Sequence, residues 1–150
     1  MSATAATVML VEDDPSLGQL LAEELEMDGY AVERAATVQE ARGLLQQQRP
    51  ALIVSDLRLP DGDGMQVLAF QQAEHPGIPF IVVTAFGTVD QAVEALKAGA
   101  DDFLTKPLST DHLRLKIKRL LAQADVNRQL AEIQSRQQGE QNMGLVGDSP

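Results

Sequence analysis

Three short runs, Val8 to Val11, Leu52 to Val54 and Phe80 to Val83, carry no polar alternate, and each predicts a strand buried on both faces. Two further runs are weaker. Tyr30 to Ala35 alternates apolar and polar side chains, as an edge strand does, and Phe103 to Thr105 is brief, set between Asp102 and Lys106-Pro107. Helix signals fill the gaps. Asp14-Pro15 is a cap residue followed by proline in the first turn, after which Leu17, Leu20, Leu21 and Leu25 are read as one face and Gly29 as the stop. Thr37 with Glu40, and Thr88 with Gln91, have the capping-box spacing; Ala41, Leu44 and Leu45, then Ala92, Val93 and Leu96, are the core faces expected behind them. A middle helix runs from about Gly64 to His75 and breaks at His75-Pro76-Gly77, and a last one starts near Ser109.

Strands and helices in strict alternation predict an α/β domain: a doubly wound five-stranded parallel sheet in the flavodoxin-like order 2-1-3-4-5, with an extended C-terminal helix. The 150 residues, 44% of them hydrophobic, suffice for one core plus appendages. With no apolar stretch of about eighteen residues and no signal-peptide pattern, the chain is expected to be soluble and intracellular. The absence of cysteine removes disulfide and thiolate-metal chemistry, and a net charge of −10 argues against this segment gripping nucleic acid.

In a doubly wound sheet a ligand sits at the carboxyl ends of the strands. Here those ends carry Glu12-Asp13-Asp14, Asp56, Thr84-Ala85 and Lys106-Pro107. Carboxylates converging on one small site repel each other, and a hard, oxygen-binding cation such as Mg2+ is the simplest relief. A carboxylate can also act as a nucleophile toward phosphorus, with metal, lysine and hydroxyl groups stabilising the transferring oxygens. Asp56 is the candidate. A single Asp after a strand more often just caps the next turn; four reactive strand ends together reverse that preference.

Four motifs resemble the receiver domain of bacterial two-component response regulators: Leu10-Val11-Glu12-Asp13-Asp14, Ser55 to Gly64, Val83-Thr84-Ala85, and Gly99 to Pro107. The resemblance covers roughly residues 5–124. It implies that Asp56 is the phosphoacceptor, that Asp13 binds the metal directly and that Glu12, standing where many members have Asp, acts through metal-bound water. It further implies that the Arg58 carbonyl is the remaining protein ligand, that Thr84 and Lys106 contact the phosphoryl oxygens, that small Ala85 leaves them space, and that Lys106-Pro107 is cis. Phe103 matches an aromatic that turns inward behind Thr84 in this family; an ordinary core role is equally open. The resemblance also implies that Arg58 and Phe86 occupy positions that differ among receivers and influence phosphate lifetime. Mg2+ is the implied cofactor, a sensor histidine kinase the implied partner, and the cytoplasm the implied location.

Other signals carry less. Asp61-Gly62-Asp63-Gly64 lacks the downstream acid of a calcium loop, His75 and His112 lie in solvated contexts, and Asp14-Pro15-Ser16 stands where a nucleotide loop would need glycines. A phosphatase with an aspartyl-phosphate intermediate is the competing enzyme reading. It is weakened by Arg58 two residues after Asp56, where such an enzyme needs an acid-base Asp. Beyond the core, Leu113, Ile117, Leu120 and Ala124 form one helical seam, and Val126, Leu130 and Ile133 a second, offset one. Two readings stand, a homodimer through the last helix and linker, or a polar linker helix. The final Gly144 to Pro150 resembles the opening of the ATPase domain of regulators that activate sigma-54-dependent transcription. The organisation expected is therefore a disordered start at 1–6, a receiver domain at 7–122, a linker helix with coiled-coil character at 123–143, and the start of a truncated ATPase domain at 144–150. DNA, ATP and sigma-54 polymerase would be met only by domains downstream of it, and no membrane by any part of this chain.

Overall fold

The three runs without a polar alternate take the three central places of the sheet. They become β1 (Thr7–Val11), β3 (Leu52–Asp56) and β6 (Phe80–Thr84), flanked by β2 (Ala31–Ala35) and β7 (Asp102–Thr105) at the edges. The computed structural model describes residues 6–85 and 88–144, with backbone alone at 128, 131, 132 and 134–144. Phe86, most of the 1–6 segment and most of the 144–150 segment thus lie outside the described residues. Every pairing in the five-stranded sheet is parallel, in the order β2-β1-β3-β6-β7. That is the order expected for five main strands. The extra labels belong to a two-residue antiparallel hairpin, β4 (Arg58–Leu59) with β5 (Gly62–Asp63), which the sequence pattern did not announce.

Side chains alternate across the sheet and feed two cores. Met9, Val11, Ile53, Phe80 and Val82 meet α2 (Val38–Gln47), α3 (Gly64–Glu74) and α4 (Val89–Lys97) on one face. Val8, Leu10, Leu52, Val54, Ile81 and Val83 meet α1 (Pro15–Met27) and α5 (Thr110–Gly144) on the other. Arg114 of α5 bonds Glu24 and Asp28 at the end of α1, tying the two helices of that face together.

The helix starts are locally encoded. Asp14 accepts from the Ser16 and Leu17 amides, Thr37 from Glu40 and Thr88 from Gln91. The two expected capping boxes are nevertheless half-boxes: Glu40 Oε1 takes the Ala36 amide, and Gln91 Oε1 is buried without a hydrogen-bond partner among the described residues. The reciprocal box lies at α3, between Asp63 and Gln66.

Three expected faces need correction. α1 buries Gly18, Leu21, Ala22 and Leu25, leaving Leu20 47% exposed. At 100° per residue that stripe centres between Gly18 and Leu25, and Leu20 falls on the far side. α4 buries Ala95 rather than Val93 and Leu96, which stay 42% and 48% exposed. Small Ala95 and Ala100 bring it against the core, so its larger apolar side chains turn outward. In α5, Leu113 and Ile117 are fully buried on their own sheet, so the first seam is intramolecular; the second, Val126, Leu130 and Ile133, is exposed.

The α1 face gives a direct test by urea denaturation. Leu21→Ala should cost about 2–5 kcal/mol, the range for a truncated core leucine, whereas Leu20→Ala should stay within about 0.5 kcal/mol. Equal losses would contradict the observed rotation of the helix.

Candidate functional site

Parallel strands bring their carboxyl ends to one edge of the sheet, so residues distant in sequence meet there. Asp56 closes β3 and Glu12 follows β1; both are buried, at 7% and 6% exposure, while Asp13 is exposed. Single oxygens of Glu12, Asp13 and Asp56 lie within 4.8 Å of one another. Lys106, following β7, reaches in with its ammonium 2.9 Å from Asp56 Oδ2 and 3.0 Å from Glu12 Oε1. The Lys106-Pro107 bond is cis, as the resemblance implied.

Backbone donors complete the arrangement. The Arg58 amide lies 3.3 Å from Asp56 Oδ1, and the Asp14 amide donates to Glu12 Oε2 at 3.0 Å. The Glu12 amide is itself anchored on the Ala35 carbonyl. Burial pushes the Glu12 carboxyl up from its ordinary value, against the opposing pull of the Asp14 amide and of Lys106. Desolvation works to lower Lys106, but its hydrogen bonds to Asp56 and Glu12 outweigh it and hold the ammonium above its ordinary value. One lysine thus stands among three carboxylates, an excess of negative charge that a hard cation would balance.

The other predicted residues fall around this cluster. Thr84, 1% exposed, ends β6 one step past Val83, the partner of Asp56 across the sheet, and its carbonyl accepts the Lys106 amide. Ala85 follows it and is exposed. Phe103, on β7 opposite Val82, is half-buried against the core beneath α2, α3 and α4. Gly64 opens α3 against the end of β3: a Cβ there would stand 2.5 Å from the Asp56 carbonyl oxygen. Sequence reasoning missed Asp61, whose carboxylate bonds the first amides of α2; its partners lie 22 and 23 residues away and leave no local signature. A cleft of about 1180 Å3 lies at the opposite end, lined by residues such as Arg49, Gly77, Leu120 and Leu121. It holds none of these groups, and the chemistry of the donors assigns the site to the carboxylates instead.

Residues 8–118 match the family model of the response regulator receiver domain. The chain belongs to that family. The chain is 37% identical over 142 residues to the response regulator protein PilR of Pseudomonas aeruginosa, covering 95% of this chain and 30% of PilR. Among solved structures, the signal receiver domain of a LuxO repressor protein from Vibrio parahaemolyticus superposes with a TM-score of 0.80 at 34% identity, over 85% of this chain and 98% of that one. The beryllofluoride-activated NtrC4 receiver domain dimer superposes with a TM-score of 0.75 at 36% identity, over 79% and 98%. The chain therefore spans under a third of the length of PilR and nearly all of the isolated receiver structures.

The lysine's role in balancing the receiver's charge has a pH signature. A carboxyl whose folded pKa is raised binds more protons folded than unfolded, so Glu12 weakens the fold as pH rises from its ordinary 4.5 through its folded value. Lys106 opposes that loss. Lys106→Met, melted in urea with EDTA present, should therefore cost about 1–3 kcal/mol at neutral pH, between a surface and a buried pair, and progressively less as pH falls through the carboxyl range. A cost independent of pH would refute the charge-balancing account.

Proposed function

We propose that this receiver is a phosphorylation-operated switch: Asp56 takes a phosphoryl group from a sensor histidine kinase, and its state sets the transcriptional output of a sigma-54-type activator. The observation that carries the reading is the buried Asp56 carboxylate 2.9 Å from Lys106, within a three-carboxylate cluster. One Asp56 oxygen forms the bond to phosphorus as the bond from phosphorus to the donor imidazole nitrogen breaks, the electron pair leaving with the imidazole. Lys106 and Thr84 stabilise the phosphoryl oxygens, and Ala85 leaves room beside them.

The donor set fits Mg2+: hard carboxylate oxygens, too few cations to balance them, and space for a phosphate. Asp13, Asp56 and the Arg58 carbonyl would hold it, with Glu12 acting through water. When bound it would neutralise charge on the transferring oxygens. The engagement of both Glu12 oxygens, by Lys106 and the Asp14 amide, supports this outer role.

Phosphorylation is read through Thr84 and Phe103 toward the surface formed by residues 88–120, where α4 displays Val89, Val93 and Leu96. A homodimer through the last helix and the linker uses the exposed seam of Val126, Leu130 and Ile133. Contacts with DNA, ATP and sigma-54 polymerase fall to downstream domains, and the switch works in the cytoplasm. No described helix is long and apolar enough to cross a membrane.

Incubated with Mg2+ and acetyl phosphate, the protein should gain one phosphoryl group by intact mass, and Asp56→Asn should gain none. Labelling that persists in the variant would overturn the site. In sedimentation, the full chain should be dimeric and a chain ending at Ala122 monomeric; a monomeric mass for both would remove the dimer.

A further inference from the structure

The β4–β5 hairpin departs from the end of β3 and carries Arg58, whose amide faces Asp56 Oδ1. With only two residues in each arm, Arg58 opposite Asp63 and Leu59 opposite Gly62, it has too few ladder bonds to hold its own position. Its position is set from outside. At its tip, Asp61 Oδ1 accepts from the Val38 amide at 2.8 Å and Oδ2 from the Gln39 amide at 3.0 Å. With Thr37 Oγ1 on the Glu40 amide, the first three donors of α2 are all satisfied, two of them by the hairpin. A carboxylate suits the positive end of a helix, and the Val38 amide in particular holds Asp61 below the usual carboxylate range.

The other arm is fixed as firmly. Asp63 and Gln66 close the capping box of α3, and Leu59 is buried in the same core as Val38. Gly62 lies between the two helix starts, where a Cβ would stand 1.9 Å from Gln66 Oε1 and 3.2 Å from Val38 Cγ2. The hairpin therefore spans from two helix N-termini to the carboxylate cluster, pinned at both.

We infer that Asp61 is a positioning residue for the metal centre: by holding the hairpin on the α2 amides it fixes the Arg58 carbonyl beside Asp56. The inference rests on the metal assignment proposed above. Asp61 touches neither metal nor phosphate; it acts through the hairpin backbone. A purely structural cap would instead stabilise α2 without affecting metal affinity, and Thr37 supplies that comparison because it caps the same helix from within.

Calorimetric titration of the unphosphorylated 150-residue chain with Mg2+ separates the two. Asp61→Ala should weaken Mg2+ binding about tenfold, the scale for losing a residue that orients a metal ligand, and Asp61→Asn, which keeps one accepting oxygen, should recover part of it. Thr37→Ala should lower the melting temperature while binding Mg2+ as the unmodified chain does. Unchanged affinity in Asp61→Ala, or an equal loss in Thr37→Ala, overturns the inference. Asp13→Asn tests the underlying assignment: its loss of Mg2+ binding supports the centre, whereas unchanged binding overturns the metal site and the inference with it.

Discussion

Three carboxylates and one ammonium share the carboxyl edge of the sheet, and that imbalance is the constraint around which the site is built. Lys106 bridges Glu12 and Asp56, holding two buried negative charges that would otherwise repel. A buried ion pair rarely adds net stability, since desolvation offsets the attraction. Its value here is chemical. The remaining charge suits a hard cation, which the proposed phosphoryl transfer to Asp56 would use.

Holding that charge in place falls to the surrounding backbone. β1, β3 and β6 are buried on both faces, so their ends are fixed by the two cores rather than by the site itself. The loops beyond them are pinned by helix caps: Asp14 opens α1 directly after the acidic pair, Asp63 opens α3, and Asp61 reaches across to α2. Helix N-termini, with their unpaired amides, thereby serve as anchor points for the loops that carry the chemistry.

The face that carries α4 is built to the opposite rule. α4 presses small Ala95 inward and turns Val89, Val93 and Leu96 outward, while burying a Gln91 oxygen that has no partner among the described residues. A helix so packed gains less from the core than its sequence would allow, and what it withholds is available to other contacts. α5 divides the same way. Its first turns complete the domain with Leu113 and Ile117, and its continuation exposes Val126, Leu130 and Ile133.

The sequence by itself determined the five strands of the main sheet and the groups at their ends, and it placed β1, β3 and β6 at the centre, because runs without polar alternates must be buried on both faces. It also determined most helix starts, since a cap and the amide it accepts are three residues apart. Tertiary structure alone decided which way α1 and α4 face. A broad apolar stripe admits several rotations, and only packing against the sheet chose Leu21 over Leu20 and Ala95 over Leu96. It alone also assigned Leu113 and Ile117 to their own domain. The Asp61 bonds to Val38 and Gln39 were beyond sequence reasoning for a related reason: two segments over twenty residues apart meet only after the sheet has brought β3 beside β1.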